Sequence, residues 1–513
     1  MCKIYRIIIV CLFLVLGMSC SLNEKPFTAS EEKLISTEEG AQSLVNGCYA
    51  KMASYNHMGA SAQMLTHLGS GLFTTSKASN LKDICALKPY STLNYVDKYW
   101  SGVYATIESC NTTIATLKKS HLDEVKIKDL YGQVYFIRSF CYFDLVRLFG
   151  RIPLRIAPSN SSNINSPMSD VSLVYDQVIS DATLAKKMLK EKRMDGLPSK
   201  YAAHMLLTKV YVTLAGNKRA NETPYWTKAY DEAMTIYGHY QLVHDYRTLW
   251  REETSNITSE SIFEIMGNNE HTLRHYQLYT PSKGNKGKST WGRIIPNIEL
   301  YDAHAKKYPS DPRLKETFLT EWIKYVKKPT LMKTYPSFTK RNNVDKSYPF
   351  LSKYVMNNSE SMGYATNMNL VLYRYSELLL TLAEIENELH GAKGAYFYVN
   401  KVLARARASS DIPSVDPKDW SDLSQDQFRE AIMAEYNFEL LGEGNDWYVV
   451  RRRGYEYFKN HVIDVHNNTM VYDFKKQRDV QYPEGVSTML FPIPMIEITS
   501  NPNISIDDQN LGY

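Results

Sequence analysis

The stretch IKDLYGQVYFIRSFCYFDLVRLFG, residues 127–150, indicates the fold class of this 513-residue chain. It is long and rich in aromatic residues, and it predicts a helix over Ile127–Phe149. Gly150 is expected to end this helix, because glycine readily takes the left-handed conformation found just beyond helix C-termini. Pro153 makes continuation costly, since proline lacks a backbone N–H and clashes with the preceding turn.

Helical patterns lie on both sides of this segment. Thr37–Met52 begins with a good N-cap residue and two acidic residues in its first turn. In Ser199–Ala215, apolar residues recur along one stripe at helical spacing. Small residues where paired helices would cross, such as Ala203 and Ala229, favour tetratricopeptide-like hairpins. The other predicted helices are Tyr95–Leu117, Ser169–Leu189, Tyr225–Tyr237, Leu372–Leu389, Ala392–Ala408 and Asp426–Leu441.

Between Leu249 and Val371 the helical periodicity is lost. This region is rich in Gly, Pro, Ser, Asn and aromatic residues, and long irregular segments in compact proteins are usually functional or disordered. The tail, Leu490–Tyr513, is rich in Pro and Asn and is predicted to be non-helical. The sequence therefore predicts a mostly α fold with one loop-rich insert.

The N-terminus resembles an export signal. Lys3 and Arg6 precede the uncharged apolar run Ile7–Leu16, which is too short for a membrane span of about 20 residues. An ordinary secretory signal would be cut near Gly17 or Ser19. The four residues that end at Cys20 resemble a bacterial lipobox, so we predict a lipoprotein signal over residues 1–19 and lipidation of Cys20. A multiply acylated cysteine anchors a chain stably to a membrane.

Composition limits the function classes. The formal net charge of +5 is small for this length and does not argue for nucleic-acid binding. Because no CxxC pair occurs, a zinc site is not expected, and we predict buried free thiols although an exported chain could pair them. The 38 tyrosines suggest ligand binding through amphipathic rings, while most of them must pack the core. The cysteines concerned are Cys48, Cys85, Cys110 and Cys141.

Motifs for catalysis are missing. SKGNKGKST, residues 282–290, lacks the first glycine of a phosphate-binding loop, so a flexible basic loop is the expectation. Glu384 and Glu386 lie two residues apart on a predicted helix and point to different faces, so they do not form a glycosidase pair and are expected to be solvated. No residue qualifies as a nucleophile, so we predict no enzyme activity, cofactor or metal. Charged residues on apolar helices are expected to form structural ion pairs; they are Arg138, Asp144, Arg374 and Glu377.

Four segments of the chain resemble the sequence motifs of a known protein family. They are YFIRSFCYFDLVRLFGRIPL (Tyr135–Leu154), LYRYSELLLTLAEIENEL (Leu372–Leu389), AIMAEYNFELLGEGNDWYVVRRRG (Ala431–Gly454) and LFPIPMIEITSNPNISIDDQNLGY (Leu490–Tyr513). In this order, after a lipobox-like signal, they resemble the SusD/RagB family of Bacteroidota outer-membrane lipoproteins. The third segment departs from the family pattern at Tyr448 and Val449, where Asp-Leu is usual.

The resemblance implies a mostly α, SusD-like fold in which tetratricopeptide-type hairpins support an irregular ligand-binding region. Residues 20–513 would form one SusD-like domain, with a helical part over about 20–248, the insert over 249–371, and C-terminal helices and tail over 372–513. The implied protein is a lipid-anchored, surface-exposed outer-membrane lipoprotein without enzyme activity. It would bind oligosaccharide nutrients and deliver them to a SusC-like TonB-dependent transporter. A peptide-binding RagB-like protein, or a mainly structural lid of the transporter, is the alternative.

Sugar binding requires flat apolar faces and planar polar groups, and loops on a rigid scaffold commonly supply both. The candidates in the irregular region are Tyr276, Tyr279, Trp291 and Arg293, with Trp322 and Tyr335 behind them. A second loop, Gly69–Tyr90, offers Phe73, Asn80 and Lys82. The tryptophans in helical or signature segments, Trp100, Trp226 and Trp447, are expected in the core.

Overall fold

The structure is a computed structural model that describes residues 34–75, 80–193, 195–251, 253–267, 280, 290–325, 328–337, 348–354, 367–412, 414–469, 472–473 and 478–513. The predicted signal and Cys20 lie outside these residues. Over the described ranges, no helix is both long enough and apolar enough to cross a bilayer.

Helices dominate the architecture. The first half contains α1 (Glu38–Met52), α2 (Ser61–Leu68), α3 (Asn80–Cys85), α4 (Asn94–Leu117), α5 (Glu124–Phe149), α6 (Val171–Met188), α7 (Lys200–Ala215) and α8 (Tyr225–Ile236). The second half contains α9 (Ile298–Lys307), α10 (Arg313–Thr317), α11 (Tyr375–His390), α12 (Ala392–Ala408), α13 (Gln425–Leu440), α14 (Asp446–Arg451), α15 (Tyr455–Phe458), α16 (Asp464–Asn468) and α17 (Met495–Ser500). Consecutive long helices from α4 to α8 pack on one another, and α8 packs on α11. This side-by-side array confirms the predicted mostly α fold.

Short antiparallel strand pairs connect the helices. The strands are β1 (Phe73–Thr74), β2 (Ile152–Pro153), β3 (Met168–Ser169), β4 (Ser261–Ile265), β5 (Ile295–Pro296), β6 (Phe318–Leu319), β7 (Glu321–Tyr325), β8 (Pro329–Lys333), β9 (Phe350–Leu351), β10 (Leu370–Arg374), β11 (Tyr472–Asp473) and β12 (Arg478–Asp479). They pair as β1 with β5, β2 with β3, β4 with β10, β6 with β9, β7 with β8 and β11 with β12. The insert is therefore built of two-stranded pairs and the helices α9 and α10.

Helix ends follow the sequence signals. The Thr37 side chain accepts a hydrogen bond from the Gly40 N–H at 3.1 Å and caps α1. Ser199 caps α7 in the same way, from the Ala202 N–H at 3.3 Å. Gly150 ends α5 with a φ of 71°, in the left-handed region that favours glycine. These helix predictions are confirmed to within a few residues.

Two local predictions are wrong. Leu372–Leu389 does not begin as a helix, because Leu370–Arg374 forms strand β10 against β4, with Leu370 opposite Ile265. The helix itself begins at Tyr375. The prediction of a non-helical tail is also wrong, since Met495–Ser500 forms the short helix α17. At Leu370–Arg374, pairing with β4 decides between conformations that the local sequence leaves open.

One hydrophobic core runs through the molecule, from Ala41 in α1 to Ile504 in the tail. Trp100, Trp226 and Trp447 are 2%, 0% and 3% exposed, which confirms their assignment to the core. The four cysteines outside the N-terminal segment are free and buried, as predicted. A separate small cluster in the insert contains Ile295, Trp322, Tyr348 and Phe350.

The tail closes the core around the end of α5. The Phe491 N–H donates to the Leu148 carbonyl at 2.8 Å, and the Asn510 side chain donates to the Phe149 carbonyl at 2.8 Å. The ring of Phe491 stacks on Trp447 with centroids 4.4 Å apart. The first, third and fourth of the resembling segments therefore meet at one point.

Charged residues on the apolar helices form ion pairs, as predicted, and two of the three partners come from distant segments. Arg138 forms a bidentate pair with Asp181, at 2.7 and 2.8 Å, and Asp144 pairs with Arg147. Glu377 pairs with Lys209. Such buried pairs fix the relative positions of helices, because each charge would be costly to leave alone.

The expectation that Glu384 is solvated is wrong. Glu384 is buried and accepts hydrogen bonds from Arg452 and Arg453. Although burial alone would raise it, these two guanidinium groups lower the pKa of Glu384 to about 2. Glu386 faces elsewhere and bonds to His390 at 3.0 Å, so the two carboxylates do point to different faces.

A larger set of buried charges, the Arg374 cluster, joins β4, β10, α12 and α13. Arg374 contacts Glu260 at 2.7 Å, Glu439 at 2.6 Å and Glu443 at 2.6 Å. Arg405 contacts Glu260 at 2.9 Å and also pairs with Glu439. The insert is thereby tied to the C-terminal helices through ionic contacts in the interior. The Arg374 cluster consists of Glu260, Arg374, Arg405, Glu439 and Glu443.

Asp446, at the start of α14, carries an unusual buried carboxyl group. Its Oδ1 accepts the Gly442 N–H at 3.0 Å, and its Oδ2 lies 3.4 Å from Nδ1 of His67. Burial raises the pKa of Asp446 to about 7 and lowers the pKa of His67 to about 3. The imidazole is therefore neutral near pH 7, where the carboxyl group takes up its proton.

This pKa makes stability depend on pH. The folded-state pKa is raised, so the stabilising contribution is complete below the unfolded-state pKa of about 3.9 and is lost as the pH rises through about 7. We expect this carboxyl group to lower the free energy of unfolding by about 2 kcal/mol between about pH 5.5 and about pH 8. Urea denaturation of the wild type and of Asp446→Asn at both pH values checks this. If the free energy of unfolding changed by the same amount with pH in both proteins, this expectation would be contradicted.

Candidate ligand-binding site

The two loops predicted to hold ligand residues lie side by side. Strand β1, in the first loop, pairs with β5, and Phe73 lies opposite Pro296. Beyond the strand, the Asn297 N–H donates to the Leu72 carbonyl at 2.9 Å, and the Asn297 side chain donates to the Gly71 carbonyl at 3.0 Å. The segment that carries Trp291 is therefore fastened to the segment around residues 71–74.

Trp291 and Arg293, two of the predicted ligand residues, lie next to each other in the candidate site. Both side chains are half-buried, and the Arg293 guanidinium lies 4.1 Å from the centroid of the Trp291 ring. Gly292 between them has a φ of 53°, a left-handed conformation that glycine adopts more readily than other residues. Ile294 and Ile295 follow and are fully buried, so the segment is anchored directly behind the two side chains.

Three residues from the N-terminal helices extend this pair. Tyr95 lies close enough to Arg293 and Tyr55 for both to act on the pKa of its hydroxyl group. Burial is the main reason that the pKa of Tyr95 rises to about 12, so this hydroxyl stays protonated at neutral pH. The Lys98 ammonium lies 5.1 Å from the centroid of the Tyr55 ring. We call these five residues, Tyr55, Tyr95, Lys98, Trp291 and Arg293, the Trp291 patch.

Helix α4 positions the N-terminal side of the patch. Tyr95 and Lys98 lie one turn apart on α4, and Tyr55 opens a single π-helical turn, Tyr55–Gly59, between α1 and α2. Gly102 of α4 permits close contact with this turn, because a Cβ there would lie 2.4 Å from the Asn56 carbonyl oxygen. The tyrosine ring is thus held beside Lys98 by backbone packing.

The remaining candidates fall into three groups. Tyr276 and Tyr279 lie outside the described residues, and Asn80 begins α3 with a side chain that is also outside them. The Phe73 ring is fully buried and stacks on His67 at 5.3 Å, so it packs the core and offers no surface to a ligand. Lys82 is half-buried on α3.

Trp322 and Tyr335, which were predicted to lie behind the candidate residues, have their contacts within the insert. Trp322 is 4% exposed and belongs to the small cluster that contains Ile295. Tyr335 is half-buried, donates a hydrogen bond to Asp302, and meets the ring of Tyr301 edge-on at 5.8 Å. Both are packing residues of the insert.

The chemistry of the Trp291 patch suits a polyhydroxylated ligand. Half-buried rings offer apolar faces, and the planar guanidinium offers several N–H donors in a fixed orientation. A cavity of about 200 Å³ lies on another side of Leu72, but its lining is mainly apolar, with Leu300, Phe318 and Phe438 among the residues. Among the described residues, no group of three or more His, Cys, Asp or Glu side chains is arranged to hold a metal ion.

Comparison with known proteins points to one family. The SusD family model matches residues 259–513, and a model described as starch-binding associating with outer membrane matches residues 22–212. The SusD-like protein P2 of Formosa agariphila is 27% identical over 100% of both chains. The SusD-like protein P25 of the same organism is 24% identical over 82% of this chain and 80% of that protein.

Solved structures share the fold. A SusD homolog from Bacteroides thetaiotaomicron has a TM-score of 0.78 at 21% identity, covering 96% of this chain and 100% of that chain. A laminarin-binding SusD-like protein has a TM-score of 0.70 at 21% identity, covering 93% of this chain and 100% of that chain. Similarity at this level of identity concerns the fold.

Proposed function

Because this chain belongs to the SusD/RagB family, we propose that it is an outer-membrane lipoprotein that captures oligosaccharides and passes them to a SusC-like TonB-dependent transporter. The starch-binding description of the model matched by residues 22–212 supports a glycan ligand, as does the similarity to a laminarin-binding structure. Residues 20–513 would act as one domain, tethered through a lipidated Cys20 at the cell surface. Capture and release require no catalytic step.

The observation that carries this proposal is the Trp291 patch. Sugars present C–H groups on their ring faces and hydroxyl groups on their edges, so a protein site needs flat rings beside hydrogen-bond donors. Trp291 and Arg293 supply both within 4.1 Å of each other, on a segment anchored by buried isoleucines. A rigid support matters because ordering loose side chains on binding costs affinity.

Trp291→Ala is expected to weaken glycan binding by about 30-fold or more. Truncation of a contact at a binding hot spot costs at least about 2 kcal/mol, and each 1.4 kcal/mol is tenfold in affinity. The measurement is calorimetric titration with the tightest glycan from an array that includes laminarin. Because the ring is only half-buried, the variant should remain folded.

Phe397→Ala is the matched control. Phe397 is 56% exposed on α12, away from the patch, so its loss removes a surface aromatic ring without touching the site. Glycan affinity should be unchanged in this variant. If Trp291→Ala and the wild type bound glycan equally well, the Trp291 patch would not be the ligand site. If the protein bound peptides and not glycans, a peptide-binding role would be favoured. Co-purification of a TonB-dependent transporter from outer membranes tests the delivery step.

A further inference from the structure

We infer that a second oligosaccharide site lies between the end of α9 and the segment 414–424 that precedes α13; this rests on the proposed function. A depression of about 400 Å³ is present there, and none of the five residues of the Trp291 patch lines it. This volume falls within the range of about 300–1,000 Å³ that is usual for small-molecule sites. We call it the Trp420 depression, and its main lining residues are Lys307, Tyr308, Lys418, Trp420, Ser421 and Ala431.

Two aromatic residues joined by a hydrogen bond form the floor of the Trp420 depression. The Trp420 Nε1–H donates to the Tyr308 hydroxyl at 2.8 Å, and that hydroxyl donates to Glu435 at 3.2 Å. Glu435 in turn pairs with the fully buried Arg313 at 2.8 Å, so the floor is fixed to the interior. Trp420 and Tyr308 are 9% and 4% exposed, so a ligand meets only the part of each ring that borders the depression. This small apolar surface can contact the C–H groups of a sugar.

The segment 414–424 is held in place by side chains of α12. Asn400 binds both backbone groups of Trp420: its Oδ1 accepts the N–H at 2.8 Å, and its Nδ2 donates to the carbonyl at 3.1 Å. The Tyr396 hydroxyl accepts the Leu423 N–H at 2.7 Å and donates to the Leu423 carbonyl at 3.2 Å. The wall of the depression is therefore formed before a ligand arrives, which avoids the cost of ordering a loop on binding.

Polar side chains at the rim can bind sugar hydroxyl groups. Lys307, Lys418 and Ser421 are exposed, and within the described ranges none of the three side chains forms a salt bridge or a hydrogen bond. The Lys307 ammonium lies 5.9 Å from the centroid of the Tyr308 ring, so one donor is placed beside the floor. An ammonium group donates up to three hydrogen bonds, and a hydroxyl both donates and accepts. An apolar floor with polar groups around it matches the faces and edges of a sugar ring.

A second site would assist the capture of a polymer. While one site holds a long glycan, the other meets the rest of that glycan at a raised effective concentration, so the overall affinity increases for a glycan that spans both sites. The Trp420 depression and the Trp291 patch share no residue, so each can be altered without the other.

Calorimetric titration with short oligosaccharides counts the sites. The probes are laminaritetraose, maltotetraose and the tetrasaccharide of the tightest glycan on the array. For the probe that binds, we expect two molecules per wild-type chain. Ser421→Trp, which places a large ring in the depression, should bind one molecule, and Trp291→Ala should also bind one over the same concentration range. The variant with both substitutions should bind none.

A smaller change tests the rim without filling the depression. Lys418→Ala, made in the Trp291→Ala chain, should weaken the remaining binding by roughly tenfold, because it removes a charged hydrogen-bond donor. Ser180→Trp and Lys187→Ala are the matched controls, since both residues are exposed on α6. Both controls should bind two molecules with unchanged affinity. Far-UV circular dichroism confirms that each variant is folded.

Each other outcome has a definite meaning. One molecule per wild-type chain, lost in Trp291→Ala, overturns the second site and leaves the proposed function standing. Two molecules per chain in Ser421→Trp overturn the placement of the second site in the Trp420 depression. Failure of the whole glycan array contradicts the proposed function itself. If tetraalanine bound in the depression, oligosaccharides did not, and Ser421→Trp removed that binding, the choice of a glycan over a peptide would be overturned.

Discussion

Replacing Arg374 with methionine is expected to lower the free energy of unfolding by about 4 kcal/mol, because it leaves buried carboxylates without their shared cation. Arg374 contacts Glu260, Glu439 and Glu443 at 2.6–2.7 Å, and its side chain is 3% exposed. Although burial opposes it, the guanidinium groups around Glu439 hold the pKa of that carboxyl group well below its ordinary value. Without Arg374, part of this compensation is lost in a site that water cannot reach.

Urea denaturation followed by circular dichroism measures this effect, and Arg151→Met provides the matched control. The Arg151 side chain is 48% exposed and reaches Asp508 at 3.3 Å and Asp170 at 3.9 Å. Exposed pairs contribute about 0–1 kcal/mol, so the control should remain near the wild type. If both variants lose the same small amount, the Arg374 cluster does not stabilise the fold as described.

Trp447→Ala is expected to cost about 3–5 kcal/mol of stability, the range for removing a buried tryptophan from a packed core. The ring is 3% exposed and stacks on Phe491. The Arg451 guanidinium lies over its face, 3.5 Å from the ring centroid. Truncation would open a cavity where the tail meets α14 and would leave Arg451 without that contact.

The same denaturation experiment, joined to glycan titration, distinguishes the two kinds of tryptophan. Trp447→Ala should unfold at lower urea concentration but bind glycan normally while it is folded. Trp291→Ala should unfold at the same urea concentration as the wild type but bind glycan more weakly. If Trp447→Ala lost affinity under conditions where it is fully folded, the tail junction would be part of the ligand site.

Long helices could be predicted because their signals are local. In α1 and α7 a capping side chain and the apolar spacing agree within a few residues of each other. The conformation at the start of Leu372–Leu389 could not be predicted, because a short apolar run is compatible with either a helix or a buried strand. Strand β4, about a hundred residues earlier in the chain, decides the outcome by pairing with it.

The residues of the candidate site could be only partly predicted, for the same reason. Trp291 and Arg293 could be proposed as a ring and a planar cation in a region without helical periodicity. Tyr55, Tyr95 and Lys98 carry no such signal, since each reads as an ordinary residue at or near a helix, and the Arg293–Tyr95 contact joins positions almost two hundred residues apart. The burial of Glu384 could not be predicted either, because the sequence does not show that Arg452 and Arg453 lie against it.

The junction between the tail and α5 has a consequence for biogenesis. The segment Leu490–Tyr513 supplies hydrogen bonds to Leu148 and Phe149, so the contacts at the end of α5 cannot form until this segment has been synthesised. It also follows that a purification tag fused directly after Tyr513 would crowd a ring whose hydroxyl donates hydrogen bonds to the Ser487 and Leu490 carbonyls, and so would disturb this junction.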